Sequence, residues 1–581
     1  MTSKYDTYTS PLAERNASPE MLRLWSARHK FNTWRRIWLA VAEAQHELGL
    51  PVTKEQVEEL RAVVTRANPD GSVGITDDEI RAAEKYEREL RHDVMAHVHA
   101  LGDSCPKAKG IIHLGMTSQD VVCNADGLLL QQSLRLIRAK LARGIVKIAE
   151  QAARHIATPT LGFTHYQPAQ PVTVGRRFAM QASDLWLSLR RMDLLHSFAP
   201  EWRTENIGIA PLRGIRGATG TQASFQALFQ IKDRSRDTSL YPLPLVQMED
   251  DLWSLEAWVT EELFAWGLPE FDKGQAVPAG VYPDCPTGTS EPEVSEPYKS
   301  MLPPHTCEVK LVNSLVTGQT YPRVIDTFIL ADLASTASVL HKIATDIRLL
   351  CNRKELDEPF ETKQIGSSAM PYKRNPMRCE RICGLTRFVM NLVGNAYDTA
   401  ATQWLERTLD DSSNRRLSLP EAFLALDGAL DLMHNVASGL IVHEATVRKN
   451  LMAELPFMAT ENILMECVKL GGDRQEFHEL IRAHAQTAGL RVKDEGEDND
   501  LIDRLKNDKA FWPASRGGTH GLKGELNWGD SDSATGGLLD PMKYIGRSVE
   551  QTERFIKEVV EPLRAQYGEA IEKLGQSGPR V

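Results

Sequence analysis

Residues 321–350 read YPRVIDTFILADLASTASVLHKIATDIRLL, a run with no glycine and one proline, at its second position. Ile325, Phe328, Leu333, Val339, Ile343, Ile347 and Leu350 fall on more than one face of a helix. A helix apolar around most of its girth is normally covered by several neighbours. At 1.5 Å per residue this run would span about 45 Å. Residues 126–150 carry a single stripe at three- and four-residue spacing, through Leu130, Leu134, Ile137, Leu141, Ile145 and Ile148. Segments 176–198, 378–400 and 421–440 read similarly. No convincing succession of alternating strands and no internal repeat accompanies them. The fold class expected is all-α, a bundle of long helices. Its broad apolar faces suit burial between subunits, since one bundle covers only part of them; a large monomeric helical domain is the plain alternative.

The chain has 581 residues, 42% hydrophobic and 25% charged, with a net charge of −10. Nothing in that balance favours general attraction to nucleic acid or an anionic membrane. The polar N-terminus lacks a signal-peptide core, and no run reaches the roughly 20 apolar residues of a membrane span. Eight cysteines in this length do not form a disulfide framework. Cys379 and Cys383, four apart, could share a metal, but no second Cys/His pair stands at zinc-finger spacing, and reduced thiols are expected. His92 and His97 are five apart and share a helical face poorly, and no HExxH occurs. No metal site is therefore assigned.

Residues 366–376, Gly-Ser-Ser-Ala-Met-Pro-Tyr-Lys-Arg-Asn-Pro, carry the most chemistry. Two hydroxyls, a cation and a helix start fall within eleven positions. Asn375-Pro376 reads as an N-cap followed by proline at the first helical position. That helix would direct its positive end toward Lys373 and the serines, a setting that suits an anionic substrate. An ordinary Gly/Ser loop before a helix is the plain alternative. A second cationic group, Arg407, Arg415 and Arg416 with Ser412, suits a phosphate, because guanidinium forks match phosphate oxygens. Asp410 and Asp411 could instead neutralise those arginines.

The 366–376 run resembles the signature loop of the fumarase/aspartase superfamily, whose members eliminate fumarate. Four further segments, 91–97, 160–170, 217–225 and 406–416, resemble the adenylosuccinate lyase family in the same order. The resemblance implies a three-domain helical fold: 1–117, then 118–442 as the central long-helix bundle, then 443–581. It implies a homotetramer with a twenty-helix core and sites shared by three subunits, in the cytoplasm, with small-molecule nucleotide substrates and neither metal nor organic cofactor. A proline-rich stretch, 269–307, and a Gly/Ser/Asp-rich stretch, about 513–540, read as insertions.

The activity implied is β-elimination of fumarate from adenylosuccinate to give AMP, and from SAICAR to give AICAR. Such a reaction needs a base, stabilisation of a doubly charged carbanionic carboxylate, and an acid for the departing nitrogen. By resemblance Ser367 is the base, with Ser368 still open, and Lys373 stabilises its alkoxide. His165, whose imidazole titrates near neutrality, is the acid, on a loop or helix start. Lys373 and Asn375 hold the succinyl carboxylates, and Glu380 orients a histidine. Thr164 touches a carboxylate, and Thr117, Ser118 and Gln222 hydrogen-bond the succinyl group. Arg91, His92 and Asp93 belong to the nucleotide side, with His92 on a helix beside His97. Arg407, Ser412, Arg416 and Arg15 take the phosphate. Asn16 departs from the family, where eukaryotic relatives often carry tyrosine, and Met116 replaces a smaller residue. Argininosuccinate lyase chemistry and a non-catalytic scaffold are the rivals; the arginine group disfavours the first, intact Ser367, Lys373 and His165 the second.

Overall fold

Helix Ser118–Arg154 (α3) runs for 37 residues, about 55 Å, and sets the long dimension of the molecule. Two helices used below precede it, Ala27–Glu47 (α1) and Asp93–Ser104 (α2). Val174–His196 (α4), Val324–Asn352 (α5), Met377–Ala401 (α6) and Asp410–Gly439 (α7) complete the bundle. This computed structural model describes residues 6–196, 212–228, 255–256, 258–260, 262–263, 313–314, 316–361, 363–365, 369–370, 372–529 and 537–575. The proline-rich stretch 269–307 lies outside the described residues.

Cross-helix contacts fix the directions. Arg415 reaches Asp126 at 3.0 Å, Arg143 reaches Asp431 at 2.7 Å, and the Gln151 amide donates to the Ala437 carbonyl at 2.8 Å, so α3 and α7 run parallel. Asn414 meets Asn395 at 2.9 Å, Thr345 meets the Cys383 sulfur at 3.7 Å, and Gln181 meets Asp346 at 3.1 Å, so α6, α5 and α4 alternate in direction. The bundle therefore has two ends. The start of α3 and the start of α7 share the first. The end of α3, the start of α4, the end of α5 and the start of α6 share the second.

Leu134, Ile137, Leu141, Leu333, Leu340, Ile343 and Phe423 fill the bundle core. Each such side chain contributes about 1.5–3 kcal/mol by leaving water. Within this apolar interior Lys140 bridges Asp427 at 2.6 Å and Asp431 at 2.8 Å. The backbone N–H of Ser18 also donates to Asp427, at 2.7 Å. Burial pushes the Asp431 carboxyl up, against the pull of Lys140. Buried ions gain little net stability but tolerate no slippage of their partners, so this group sets the register of α3 against α7. Helix α5 passes a test of length and mean hydropathy for crossing a membrane, though charged residues interrupt its apolar run. It lies in the bundle core instead, and its buried Asp326 and Asp332 are paired with Arg415 and Arg191.

Two other apolar clusters stand apart. One gathers Trp34, Trp38, Leu60, Val94, Leu101 and Phe225 at the first end. The other gathers Ile463, Phe477, Leu501, Phe511, Leu522 and Leu538, so described parts of 513–540 are packed into it. Helix Glu561–Leu574 returns to the bundle, where Leu563 and Tyr567 join the central core. Strands are few among the described residues. Pro159–Thr164 (β1) and Gln167–Thr173 (β2) form a hairpin at the second end, and Leu356–Asp357 (β3) pairs with Ile441–Val442 (β4).

Candidate functional site

Candidate residues gather at the first end around the start of α3. His92 is the N-cap of α2, with Nδ1 accepting from the Met95 N–H at 3.3 Å, and its Nε2 lies 3.3 Å from the Ser118 hydroxyl. It thus stands just before the helix it was expected to lie on. Arg91 occupies the left-handed C-cap (φ 55°) of the preceding helix. Arg416 donates to Asp93 at 2.8 Å. Burial works against the Asp93 carboxylate, yet the Arg416 bond and charge hold it below the usual range.

Asp120 underlies this group. Its fully buried carboxylate accepts from the N–H groups of Thr117 (2.7 Å), Arg216 (2.8 Å) and Gly217 (3.1 Å) and from the Arg213 guanidinium. Gln222, at φ 58°, gives its amide hydrogens to the Ile215 carbonyl and to Glu256, both at 3.2 Å. Its amide carbonyl is left as the group to meet a ligand, so donation to a succinyl carboxylate requires the amide to turn over. Burial, opposed by Arg216, pushes Glu256 up to about 7.

The arginine group divides. Arg415 is buried and bound to Asp326 (2.6 Å), Asp126 (3.0 Å) and the Tyr321 hydroxyl, so it braces the bundle. Arg407 is largely buried, donates to Gln319 at 3.1 Å and lies 3.6 Å from Asp411, whose carboxylate is already held by Arg323 at 2.6 Å. Arg416 is half exposed. Ser412 stands in the first turn of α7, its N–H bonded to Leu409 O at 3.1 Å. Sequence reading missed Lys30. Its ammonium lies 4.9 Å over the Trp34 ring, and burial and then Arg416 lower its pKa, with Asp126, Asp93 and Glu87 opposing. Its signal was a lysine beside the aromatics of α1.

The other candidates lie at the second end. Thr164 closes β1, and His165 and Tyr166 form the two-residue hairpin turn at φ 52° and 59°. Of the loop and helix start expected, it is a loop, one that joins two strands. Both turn positions need left-handed backbone, normally the place of Asn or Gly. Holding such residues there costs on the order of 1–3 kcal/mol each. The turn places the His165 ring at an exposed tip. Gly162 makes the hairpin possible, because a Cβ there would stand 2.3 Å from the Gln170 carbonyl. Arg353, from the end of α5, caps the Phe163 ring at 4.9 Å.

Lys373 is exposed, and its N–H bonds to Met370 O at 3.0 Å. Helix α6 begins at Met377 with Pro376 as its N-cap, and no side chain caps it from that position. Asn375 is therefore not the expected cap. The first free N–H groups, those of Arg378 and Cys379, go to the two oxygens of Glu358, at 3.0 and 2.6 Å. The positive end of α6 already holds a carboxylate, so an anion beside Lys373 cannot count on it. Glu380 is exposed, 3.9 Å from Arg348. Gly366, Ser367 and Ser368 lie outside the described residues.

Arg15 sits partway along the bundle. Its neighbour Asn16 gives its side-chain N–H to Pro11 O at 3.0 Å, and the Asn16 carbonyl presses on α7 at Gly428, where a Cβ would meet it at 2.7 Å. Gly428 is twelve residues beyond Arg416, about 18 Å along the helix. Cys379 and Cys383 are buried free thiols. Among the described residues no group of three or more metal-ligating side chains occurs.

Comparison with known proteins gives this arrangement a class. A family model described as Lyase matches residues 14–200 and 317–391, and one described as Adenylosuccinate lyase C-terminus matches 456–555. The fold is shared with a 3-carboxy-cis,cis-muconate lactonizing enzyme from Pseudomonas putida (21% identity, TM-score 0.65, 96% of this chain and 99% of that one). A fumarate lyase from Mesorhizobium sp. BNC1 is similar (18%, TM-score 0.64, 95% and 99%). The solved structures share the fold alone, and the matching Lyase model is of that helical fumarase/aspartase fold. Adenylosuccinate lyase of Saccharomyces cerevisiae is 42% identical over 96% of this chain and 95% of its own length, and that of Schizosaccharomyces pombe is 42% identical over 98% of both. The chain belongs to the adenylosuccinate lyase family.

Proposed function

We propose that this chain releases fumarate from adenylosuccinate, leaving AMP, and from SAICAR, leaving AICAR. The observation that carries this reading is the first-end cluster, which presents Arg416, Lys30, His92 and Ser118 together on a rigid buried frame. Such a group suits a phosphorylated, anionic substrate, with Arg407 and Ser412 beside it and Arg91, Asp93, Thr117 and Gln222 around it. Ser367 removes the proton next to a succinyl carboxylate, Lys373 favours its alkoxide, and His165 protonates the departing nitrogen. Asn375 and Thr164 hold carboxylates, and Glu380 orients a histidine.

One chain cannot assemble this set, because its members stand at opposite ends of a helix about 55 Å long. Sites shared between subunits of a homotetramer resolve the separation. Exposed Phe328, Phe388, Tyr397 and Leu417 on α5, α6 and α7 supply apolar faces for that assembly. Arg15 then serves a site other than that of its own Arg416. A division into 1–117, 118–442 and 443–581, and a cytoplasmic location, complete the proposal. Ultraviolet detection of fumarate and AMP from adenylosuccinate tests it, with argininosuccinate as the contrasting substrate. Turnover of argininosuccinate alone, or of neither, would refute it.

A further inference from the structure

The segment just before the signature loop is bound by five contacts, from carboxylates and a carbonyl, to Arg374 near the loop's end and to the start of α6. Glu358, itself buried, takes the N–H groups of Arg378 and Cys379 at 3.0 and 2.6 Å. The Arg378 guanidinium donates to the Pro359 carbonyl and to Glu361, the latter at 2.7 Å. Arg374 lies 3.8 Å from Asp357. The loop thus leaves and re-enters the fold at one fixed neck.

The need for Glu358 follows from the local sequence. A helix start leaves backbone N–H groups without partners. Here the N-cap position is Pro376, which offers no side-chain acceptor, and Asn375 makes no cap. A carboxylate from about twenty residues earlier in the chain does the work, in the place where helix polarity favours negative charge most. Burial of Glu358 among its donors leaves little freedom for α6 to shift along its axis. Lys373 and Asn375 stand five and three residues before Arg378, so the neck sets where their side chains begin.

We propose that Glu358 is a positioning residue for the signature loop: by capping α6 it fixes Lys373 and Asn375 relative to the substrate, without touching the substrate. The proposal rests on the loop's role in the elimination described above. Small misplacements of reacting groups cost rate steeply, on the order of a hundredfold for about 1 Å.

The test compares Glu358→Ala, Glu358→Gln and Lys373→Ala in the full-length assembled protein. Hydrogen exchange at the start of α6 reports on the clamp, and kcat, KM and the isotope effect from substrate deuterated at the abstracted position report on chemistry. Glu358→Ala should speed exchange at the Arg378 and Cys379 amides by about tenfold or more. It should lower kcat by about 10–100-fold with little change in KM and raise the isotope effect. Glu358→Gln, which keeps one acceptor and the side-chain shape, should fall between and guards against loss of folding in the alanine variant. Unchanged exchange in both Glu358 variants would overturn the clamp. Faster exchange with normal kcat and isotope effect would overturn its positioning role. Near-normal turnover of Lys373→Ala would instead overturn the loop's part in the reaction, and the positioning claim with it.

Discussion

The two ends of the bundle differ in how their polar side chains are held. At the first end two buried ion groups lie beneath the surface: Asp120 gathers three backbone N–H groups and Arg213, and Arg415 is enclosed by Asp326, Asp126 and Tyr321. Arg416 and His92 project from that frame. At the second end His165, Lys373 and Glu380 are exposed and stand on a strained turn, a connecting segment and a helix start. One end offers a buried frame for recognition, and the other presents His165 and Lys373, the acid and the cation of the proposed function. Under the proposed function the two ends meet in different copies.

The largest effects are expected from the proposed acid and base. His165→Ala and Ser367→Ala should each lower kcat by about 10²–10⁴-fold while substrate still binds. Normal turnover in Ser367→Ala would pass the role of base to Ser368 or another group, and stopped-flow or steady-state fumarate release decides it. Next comes the frame at the first end. Asp120→Asn should cost about 3–5 kcal/mol, because Arg213 is left buried without its counter-charge. A melting temperature equal to that of the parent would show the frame to be dispensable.

Arg416→Ala should be milder and of another kind, a KM raised about 10–100-fold with kcat nearly unchanged. An unchanged KM would remove Arg416 from phosphate binding. The last expectation is a pH dependence, set by two histidines of the first-end cluster and by His434 near the end of α7, which burial also lowers to about 4. Burial lowers His97 and His113 to about 4 from 6.5, and the Trp38 N–H donates to the unprotonated His113 Nδ1 at 3.1 Å. Groups with depressed folded-state values give stability that is complete above pH 6.5 and lost as pH falls toward 4. Each contributes up to about 3 kcal/mol. With two such histidines beside it against one near the end of α7, the Trp34–Trp38 core should loosen first in acid, read by tryptophan fluorescence; simultaneous loss of both ends would contradict this.

What the sequence revealed followed the range of the interactions. Helix α5 was legible at 321–350 because its apolar residues surround the axis, and the loop at 366–376 because its chemistry is contiguous. The β1–β2 hairpin was not, since Pro159, Pro168 and Pro171 and the bulge at Gly162 disguise the strands. Asn375 looked like a cap because capping is usually local, whereas Glu358 reaches across about twenty residues to do it. The difference between Arg415 and Arg416, adjacent in sequence, is a difference of one helical step: one faces Asp326 and Tyr321, the other Asp93. Lys30 escaped notice because its neighbours Asp93 and Arg416 lie far along the chain.

The most direct test of a site divided between copies is to mix two variants impaired at opposite ends and to assay them well below the parent KM, where loss of binding and loss of turnover both silence the reaction. His165→Ala and a double variant, Ser118→Ala with Arg416→Ala, would be combined, partly dissociated and reassembled, and fumarate release followed. Hybrid assemblies contain some sites in which both ends are intact, so activity should return well above that of either variant alone. If verified hybrids remain as inactive as their parents, the two ends do not cooperate across subunits, and the proposed site is wrong.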